Sequence, residues 1–296
     1  MDLTFLGTSQ AIPTRSRNHT AMLLRYEDEN ILVDCGEGTQ RQFRKADINP
    51  CKLTKILITH WHGDHILGIP GLLQTLALNN YNRTLDIYGP SGTKRFIETM
   101  LSMFIFEGKI DIKVHEVDEG TIYNDKFILK AYRMDHGIRA LAYSFEEKPK
   151  TRMDVAKIKK LGLKGPIIGK LQRGEDIVFN GKKILSKKVT YVQEGKKISF
   201  IMDTALNENC FKAAENADVL VCESTYMKAD EDKADNYKHL TAERAAMIAK
   251  KSKAKSLYLT HVSQRYEIHE AAVLKEAKKV FKNSFLPRDL DSVEIK

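Results

Sequence analysis

Residues 55–65 read KILITHWHGDH, an apolar strand pattern that runs directly into four potential metal ligands. These ligands are the imidazoles of His60, His62 and His65 and the carboxylate of Asp64. Imidazole and carboxylate groups are common ligands of zinc, and so many of them in one short segment are difficult to place in an apolar core. The stretch therefore predicts a metal site at the carboxyl end of a β-strand, where α/β proteins usually place their ligands.

One short loop cannot complete the coordination of two ions, so further ligands must come from other strand ends. Three residues fit this position: His136 follows the strand pattern ending in KAYRMD, Asp203 ends ISFIMD, and His261 ends KSLYLTH. The remaining histidines lack such a position and are not preferred as ligands: His19, His115, His239 and His269. The sequence thus predicts a site assembled from several strand ends.

Short strand patterns alternate with helical patterns along most of the chain. Strands are predicted near residues 3–8, 21–26, 31–34, 55–60, 85–89, 126–132, 198–203, 217–224 and 255–261. Helices are predicted near residues 210–216, 241–251 and 269–282. This alternation indicates an α/β fold with two strand-rich halves.

The composition is that of a globular protein: 296 residues, 42% hydrophobic and 29% charged. The amino terminus carries Asp2 where a signal peptide needs positive charge, and no apolar run approaches the ~20 residues that span a bilayer. The cysteines form no CxxC pair and are expected to be reduced: Cys35, Cys51, Cys210 and Cys222. We therefore expect a cytoplasmic protein with no membrane contact.

The positive charge is confined to one segment. Residues 148–188 carry a net charge of +10, whereas the rest of the chain carries −1. This segment is rich in lysine, is broken by glycines and Pro166, and interrupts the α/β alternation. A local basic excess of this kind is typical of a surface that binds a polyanion, although a solvated charge run gives the same pattern.

Several motifs together resemble one known family. FLGTSQAIPTRSRN (residues 5–18), DCGEGTQRQ (34–42), HWHGDH (60–65), LGLKGPIIGKLQRG (161–174) and LTHVSQRY (259–266) are similar to motifs of short-form ribonuclease Z, in the metallo-β-lactamase superfamily. The HxHxDH motif alone is shared by hydrolases of many substrates. The Gly-Pro tip within residues 161–174 is similar to the arm with which these enzymes hold tRNA, and this arm is absent from lactamases and glyoxalases.

The resemblance implies a four-layer αβ/βα sandwich with a protruding basic arm and a site at one edge of its two sheets. Residues 1–147 and 189–296 are then the two parts of the metallo-β-lactamase domain, and residues 148–188 are the inserted tRNA-binding arm. Two zinc ions per chain are implied, one held by His60, His62 and His136, the other by Asp64, His65 and His261, with Asp203 bridging.

The resemblance also implies an endoribonuclease that removes the 3′ trailer from precursor tRNA and leaves a 3′-hydroxyl. Asp64 is expected to act as the base toward the attacking water, and His239, oriented by Glu223, as the acid toward the leaving oxygen. Cys222 and Ser224 stand where the family often has His and Ala. Asp34 is expected to support the histidine loop without binding metal.

The implied RNA contacts lie on the arm: Lys157, Lys159, Lys160, Lys164, Gly165, Pro166, Lys170 and Arg173. Arg15, Arg17 and Asn18 are further candidates for contact with the RNA 3′ end, or are ordinary surface residues. The resemblance implies a homodimer. Two alternatives stay open: a small-molecule phosphodiesterase or arylsulfatase-like hydrolase on the same two-zinc site, and a noncatalytic RNA-binding protein with a structural metal.

Overall fold

Two seven-stranded β-sheets form the framework of the chain in the computed structural model, which describes residues 1–105 and 110–296. The strands are β1 (Asp2–Gly7), β2 (Ala21–Tyr26), β3 (Glu29–Val33), β4 (Lys55–Leu57), β5 (Thr84–Gly89), β6 (Asp111–Glu116), β7 (Gly120–Asn124), β8 (Phe127–Asp135), β9 (Arg139–Glu147), β10 (Lys150–Met153), β11 (Ile177–Phe179), β12 (Lys182–Ile184), β13 (Thr190–Gln193), β14 (Lys197–Ile201), β15 (Val219–Glu223), β16 (Leu257–Thr260), β17 (Ser284–Phe285) and β18 (Ser292–Glu294). The α-helices are α1 (Thr39–Lys45), α2 (Gly63–Ile66), α3 (Ile69–Leu78), α4 (Thr93–Met103), α5 (Val155–Lys160), α6 (Pro166–Gln172), α7 (Ser186–Val189), α8 (Glu208–Ala214), α9 (Glu231–Tyr237), α10 (Ala242–Lys251) and α11 (Glu270–Val280).

Three apolar layers separate four layers of secondary structure. Strand residues alternate between them: Phe5 and Met22 pack between the two sheets, whereas Leu6 and Leu23 face α1, α3 and α4 on the outside of the first sheet. A third cluster lies between the second sheet and α8, α10 and α11. The order is therefore helix, sheet, sheet, helix, as the predicted αβ/βα sandwich requires.

The sheet topology brings strand ends to one edge. The first sheet has the order β18-β1-β2-β3-β4-β5-β6, and the second has the order β17-β16-β15-β14-β9-β8-β7. Strands β3 to β6 are parallel, and so are β14 to β17, so the loops after their carboxyl ends lie together. A bridge between Asp135 and Ala205 also places the end of β8 beside the segment that follows β14.

Residues 146–196 form a second compact unit. Its hairpins are β10–β13 and β11–β12, and Asp154 caps α5 by accepting a hydrogen bond from the Lys157 amide. Gly165, in the left-handed region at φ 73°, allows the turn into α6, which begins at Pro166. The unit has a small apolar core of its own: Ile158, Leu163, Leu171, Ile177 and Val189. The predicted insertion, residues 148–188, lies within it, and we call residues 146–196 the arm.

Several strands lie where the sequence predicts none: β6, β7, β9, β17 and β18. The largest of these, β9, is nearly continuously buried and pairs within the second sheet, so it lacks the alternating pattern of a half-buried strand. Within residues 1–105 and 110–296, no helix is long and apolar enough to cross a membrane.

Candidate metal centre

The seven predicted ligands come together at the strand-end edge of the two sheets. His60 and His62 lie in the loop after β4, and Asp64 and His65 lie on α2. From the second sheet, His136 directly follows β8, Asp203 lies just beyond β14, and His261 directly follows β16. His261 has a left-handed backbone at φ 56°, which turns the chain sharply at the strand end.

The donor atoms form two groups that share one carboxylate. The first group is His60, His62, His136 and Asp203, and the second is Asp64, His65, Asp203 and His261. Within each group all the donor atoms lie within 4.8 Å of one another. Asp203 offers Oδ2 to the first group, 3.5 Å from His136 Nε2, and Oδ1 to the second, 3.2 Å from His261 Nε2.

The spacing of the ring nitrogens fits tetrahedral metal ions. Two nitrogens bound to one tetrahedral zinc at ~2.0–2.1 Å lie about 3.3 Å apart. In the first group, His62 Nδ1 lies 3.1 Å from His60 Nε2 and 3.2 Å from His136 Nε2. In the second group, His65 Nε2 lies 3.2 Å from His261 Nε2. The lone pairs of both groups thus converge.

Asp203 provides a second observation that fits a cation. Its side chain is buried, and Oδ1 accepts no hydrogen bond from the described residues. A buried acceptor without a partner costs about 1–3 kcal/mol, which a bound cation offsets. Burial raises the pKa of Asp203, but the imidazoles of His261, His65 and His239 lower it further, so its pKa lies well below the usual range. The site therefore holds an anionic carboxylate between the two groups.

A second set of contacts orients the imidazole rings. His60 donates its Nδ1–H to Thr59 Oγ1 at 3.0 Å, and His136 donates its Nδ1–H to the Lys238 carbonyl at 3.0 Å. His261 donates its Nδ1–H to Thr225 Oγ1 at 2.8 Å. These bonds place the proton on Nδ1, so that Nε2 keeps its lone pair for a metal. For His60, burial and then the neighbouring His65 lower the pKa well below its ordinary value, so this ring is a neutral donor.

Asp34 supports the loop without reaching the centre itself. It is fully buried at φ 56° and accepts hydrogen bonds from the Thr59 amide, the Thr59 hydroxyl and His65 Nδ1, the last at 2.7 Å. These three bonds tie the end of β3 to the loop after β4. Asp34 is thus placed as the predicted supporting carboxylate.

Glu223 and His239 form a pair beside the centre. His239 Nδ1 lies 3.1 Å from Glu223 Oε1, and the Thr204 amide donates to the same carboxylate oxygen. Burial lowers the pKa of His239, but the carboxylates of Glu223 and Asp203 outweigh it and raise the pKa to about 9. The Glu223 carboxylate beside Nδ1 therefore favours the protonated imidazole, the form that is able to donate a proton.

Thr225 is a site residue whose role the sequence does not predict. Its hydroxyl donates to Glu223 Oε2 at 2.5 Å and accepts from His261 Nδ1 at 2.8 Å. It thus joins the Glu223–His239 pair to the imidazole of His261 in the second donor group. The only sequence signal is its place two residues after Glu223 in the Glu-Ser-Thr segment.

In the opening loop, the position of the Arg17 side chain differs from the one that the sequence predicts. The sequence predicts either an RNA contact or a surface charge, but the Arg17 side chain is 3% exposed. Its guanidinium donates to Glu270, to the Thr8 hydroxyl and to the Pro287 carbonyl. Arg17 therefore anchors the loop to the carboxyl-terminal segment, whereas Arg15 is exposed.

The arm presents its predicted RNA-binding residues to solvent. All eight are exposed: Lys157, Lys159, Lys160, Lys164, Gly165, Pro166, Lys170 and Arg173. Lys157 is paired with Asp154 and Arg173 with Glu175. Among the described residues, the other four lysines have no carboxylate partner, and so their charge is available to a ligand: Lys159, Lys160, Lys164 and Lys170.

Comparison with known proteins establishes the relationship. The chain is 43% identical to ribonuclease Z of Methanothermobacter thermautotrophicus over 100% of its own length and 97% of the relative. The chain belongs to the ribonuclease Z family. Human tRNase Z, short form, is similar in structure, with a TM-score of 0.75, 30% identity and full coverage of both chains. The predicted family is therefore confirmed, and with it a metal-dependent phosphodiesterase of the endoribonuclease type.

Two further matches are more distant. The metallo-β-lactamase fold protein YhfI of Bacillus subtilis is 19% identical, with a TM-score of 0.69 over 99% of this chain and 98% of that one. This likeness concerns the fold alone, and it confirms the predicted metallo-β-lactamase fold. The family model of the Anti-Pycsar protein Apyc1 matches residues 1–115, a region that includes the histidine loop.

Proposed function

We propose that this ribonuclease Z family member is a zinc-dependent endoribonuclease that removes the 3′ trailer from precursor tRNA and leaves a 3′-hydroxyl on the tRNA. The observation that carries the proposal is the pair of donor groups sharing Asp203, with the Glu223–His239 pair beside them. The names of its relatives, ribonuclease Z and human tRNase Z, support precursor tRNA over a small-molecule substrate.

Two zinc ions are proposed, one for each donor group. His60, His62 and His136 would hold the first, Asp64, His65 and His261 the second, with one oxygen of Asp203 for each. Two such ions, when bound, neutralise charge on phosphate oxygens and acidify a water molecule. Nitrogen donors with carboxylate oxygens favour zinc over magnesium or calcium, which take mostly oxygen ligands.

Asp64 is proposed as the base. Burial raises its pKa, but hydrogen bonds from His261 and His65 lower it further, so the carboxylate is ionised. Its Oδ2 lies 3.3 Å from His261 Nε2, at the edge of the second donor group. An ionised carboxylate there accepts a hydrogen bond from the attacking water, orients it toward phosphorus and takes up its proton.

His239 is proposed as the acid. The leaving group is the 3′-oxygen of a ribose, a poor leaving group that needs a proton as the P–O bond breaks. Nδ1 of His239 is held by Glu223, so Nε2 carries the proton that is transferred. After the transfer, Glu223 stabilises the tautomer with its proton on Nδ1. The products are then a 3′-hydroxyl on the tRNA and a 5′-phosphate on the trailer.

The arm is proposed to hold the tRNA. Lys159, Lys160, Lys164 and Lys170 supply charge to backbone phosphates, whose binding releases counterions and makes the affinity depend on salt. We further propose a homodimer, on the basis of the family resemblance, and a cytoplasmic location, on the basis of the sequence pattern.

The direct test is to incubate the zinc-loaded protein with a precursor tRNA and to map both product ends. We expect one tRNA product ending in a 3′-hydroxyl at the mature end and one trailer beginning with a 5′-phosphate. Cleavage at scattered positions, or of small phosphodiesters alone, would favour the small-molecule alternative. Binding without any cleavage would favour the noncatalytic one.

Removal of metal is expected to abolish cleavage. The two donor groups share Asp203 and offer one proposed site each, so we expect metal analysis of the purified protein to find close to two ions per chain. Treatment with a chelator should reduce turnover to background, and added Zn²⁺ should restore it. Full activity with one metal ion per chain would contradict the two-metal proposal.

His239→Ala is expected to slow cleavage of precursor tRNA by ~10²- to 10⁴-fold, because the ribose oxygen then leaves without a proton. A nitrophenyl phosphodiester should lose much less, since nitrophenolate leaves unprotonated. The measurement is kcat on both substrates. His269→Ala, at an exposed histidine at the start of α11, is the matched control and should change neither rate. Equal losses on both substrates would contradict the role as acid.

A further inference from the structure

The segment between α9 and α10, residues 238–241, carries His239, the proposed acid. The His239 ring packs against one ligand of each donor group, with its centroid 4.9 Å from that of His136 and 5.6 Å from that of His261. Glu223 holds Nδ1 of this ring, whereas the placement of the ring also depends on the backbone of residue 239. Because a displacement of about 1 Å can lower a rate ~10²-fold, the position of that backbone matters for proton transfer.

Helix α9, which precedes this segment, has little apolar surface to fix its end. Of its seven residues, Ala234 alone is buried. The His239 amide donates to the Ala234 carbonyl at 2.8 Å, so the end of α9 sets where the acid begins. A short helix with one buried side chain gains little from packing, and its end is expected to move unless another contact holds it.

Lys238 supplies such a contact to the strand end that carries His136. Its Nζ donates to Asp135 Oδ1 at 2.6 Å, and its carbonyl accepts the Nδ1–H of His136 at 3.0 Å. Its Cδ lies 3.8 Å from the point where a Cβ of Gly137 would stand, so the lysine stem passes close to the backbone there. Lys238 thus contacts three consecutive residues at the end of β8.

Asp135 is itself fixed beside the carboxylate that both donor groups share. The Ala205 amide donates to the Asp135 carbonyl at 2.7 Å, and the Asp135 amide donates to Thr204 Oγ1 at 3.1 Å. Thr204 and Ala205 directly follow Asp203. The Lys238–Asp135 ion pair therefore connects the segment of the acid to the segment of the shared carboxylate.

The backbone of Lys238 is in the left-handed region, at φ 55° and ψ 55°. Glycine, or less often asparagine, usually takes this conformation at the end of a helix, and other residues are strained there. The ion pair offsets little of this strain, since its side chains are 42% and 56% exposed and exposed pairs contribute little to stability. The stability of the fold therefore does not account for a lysine at this position, whereas a role in placing His239 does.

We propose that Lys238 and Asp135 are positioning residues, whose ion pair holds His239 against the first donor group. The pair keeps the His239 ring where its Nε2 meets the leaving oxygen at the metal centre. This inference rests on the proposed function, in which His239 is the acid. Loss of the pair therefore slows reactions whose leaving group needs a proton and leaves other reactions nearly unchanged.

The test is Lys238→Asn, because asparagine tolerates the left-handed backbone and carries no charge. The readout is the ratio of two single-turnover rate constants, one for precursor tRNA and one for a nitrophenyl phosphodiester. We expect this ratio to fall about tenfold in Lys238→Asn and to return to within threefold of the original value in Lys238→Arg, which keeps the charge. The rate on the nitrophenyl ester should stay within twofold throughout.

The matched control is Lys253→Asn, at an exposed lysine that follows α10 with the same left-handed backbone, φ 57°. This variant should keep the ratio. Asp135→Asn should lower the ratio as much as Lys238→Asn does, and the double variant should lower it no further, since both changes remove one interaction. An unchanged ratio in Lys238→Asn overturns the proposal. Equal losses on both substrates do so as well, because the pair then supports the metal ligands.

A second measurement does not depend on cleavage of tRNA: hydrogen exchange of the His239 amide in the metal-loaded protein. We expect this amide to exchange about fivefold faster in Lys238→Asn and in Asp135→Asn, and at the original rate in Lys253→Asn. Faster exchange in the two variants supports the positioning of residue 239 even where precursor tRNA is not cut. Equal exchange in all three variants overturns it.

Discussion

Asp64→Ala is expected to lower kcat on precursor tRNA by at least ~10³-fold while the affinity for tRNA stays within about threefold. The carboxylate belongs to the second donor group, where the proposed water attacks, whereas Lys159, Lys160, Lys164 and Lys170 lie on the arm. Removing Asp64 therefore removes the proposed base and one proposed metal ligand but none of the proposed tRNA contacts. Filter binding at constant salt, beside single-turnover kinetics, measures both quantities.

The control for Asp64 is Asp232→Ala, which removes an exposed carboxylate on α9 and should change neither rate nor affinity. Metal content must be counted in both variants. An Asp64→Ala enzyme that keeps more than a tenth of its turnover would contradict the assignment of this residue as base. A parallel loss of tRNA affinity would place part of the RNA grip at the metal centre.

Deleting the body of the arm is expected to weaken tRNA binding by ~10²-fold or more and to flatten its dependence on salt. Lys150 and Gln193 are directly paired on β10 and β13, so a short Gly/Ser linker is able to join them in place of residues 151–192. No predicted metal ligand lies in the deleted range. Hydrolysis of a nitrophenyl phosphodiester should therefore persist within about tenfold, and the metal content of the protein should be unchanged.

A variant with an intact arm separates the effect of the arm's charge on tRNA affinity from the effect of its folded structure. Replacing four exposed lysines among the predicted RNA contacts by glutamine leaves the core of the arm untouched, and should reproduce most of the loss in affinity. The residues are Lys159, Lys160, Lys164 and Lys170. The matched control replaces four exposed lysines elsewhere: Lys250, Lys275, Lys278 and Lys282. If both sets weaken binding equally, the effect is one of net charge and the arm has no special role.

The metal centre was predictable because its ligands follow a rule that the sequence displays. His60 to His65 are adjacent in sequence, and His136, Asp203 and His261 each follow a strand pattern. Parallel strands end at one edge of a sheet, which brings Asp203 and His261 together. His136 follows β8, which is antiparallel to β7, and a bridge between Asp135 and Ala205 brings it to the same edge. The family resemblance then added their division into two groups.

Other features have no local signal. Arg17 looks like a surface residue, but its partners Glu270 and Pro287 lie far along the chain, and only the folded structure buries it. Strand β9 likewise has no local signal, because its buried run lacks the alternation that identifies a half-buried strand. Contacts between residues distant in sequence decide the burial of Arg17 and of β9. Neither local propensity nor the spacing of apolar residues indicates this burial.

The arm has its own small apolar core, separate from the three clusters of the sandwich. A core of this size gives little cooperative stability, so the arm is expected to open and close many times for each global unfolding event. Hydrogen exchange should therefore show amides of residues 146–196 exchanging well before those of the central strands. Thermal unfolding of the whole chain then departs from a single two-state transition, and one melting temperature describes the sandwich rather than the arm.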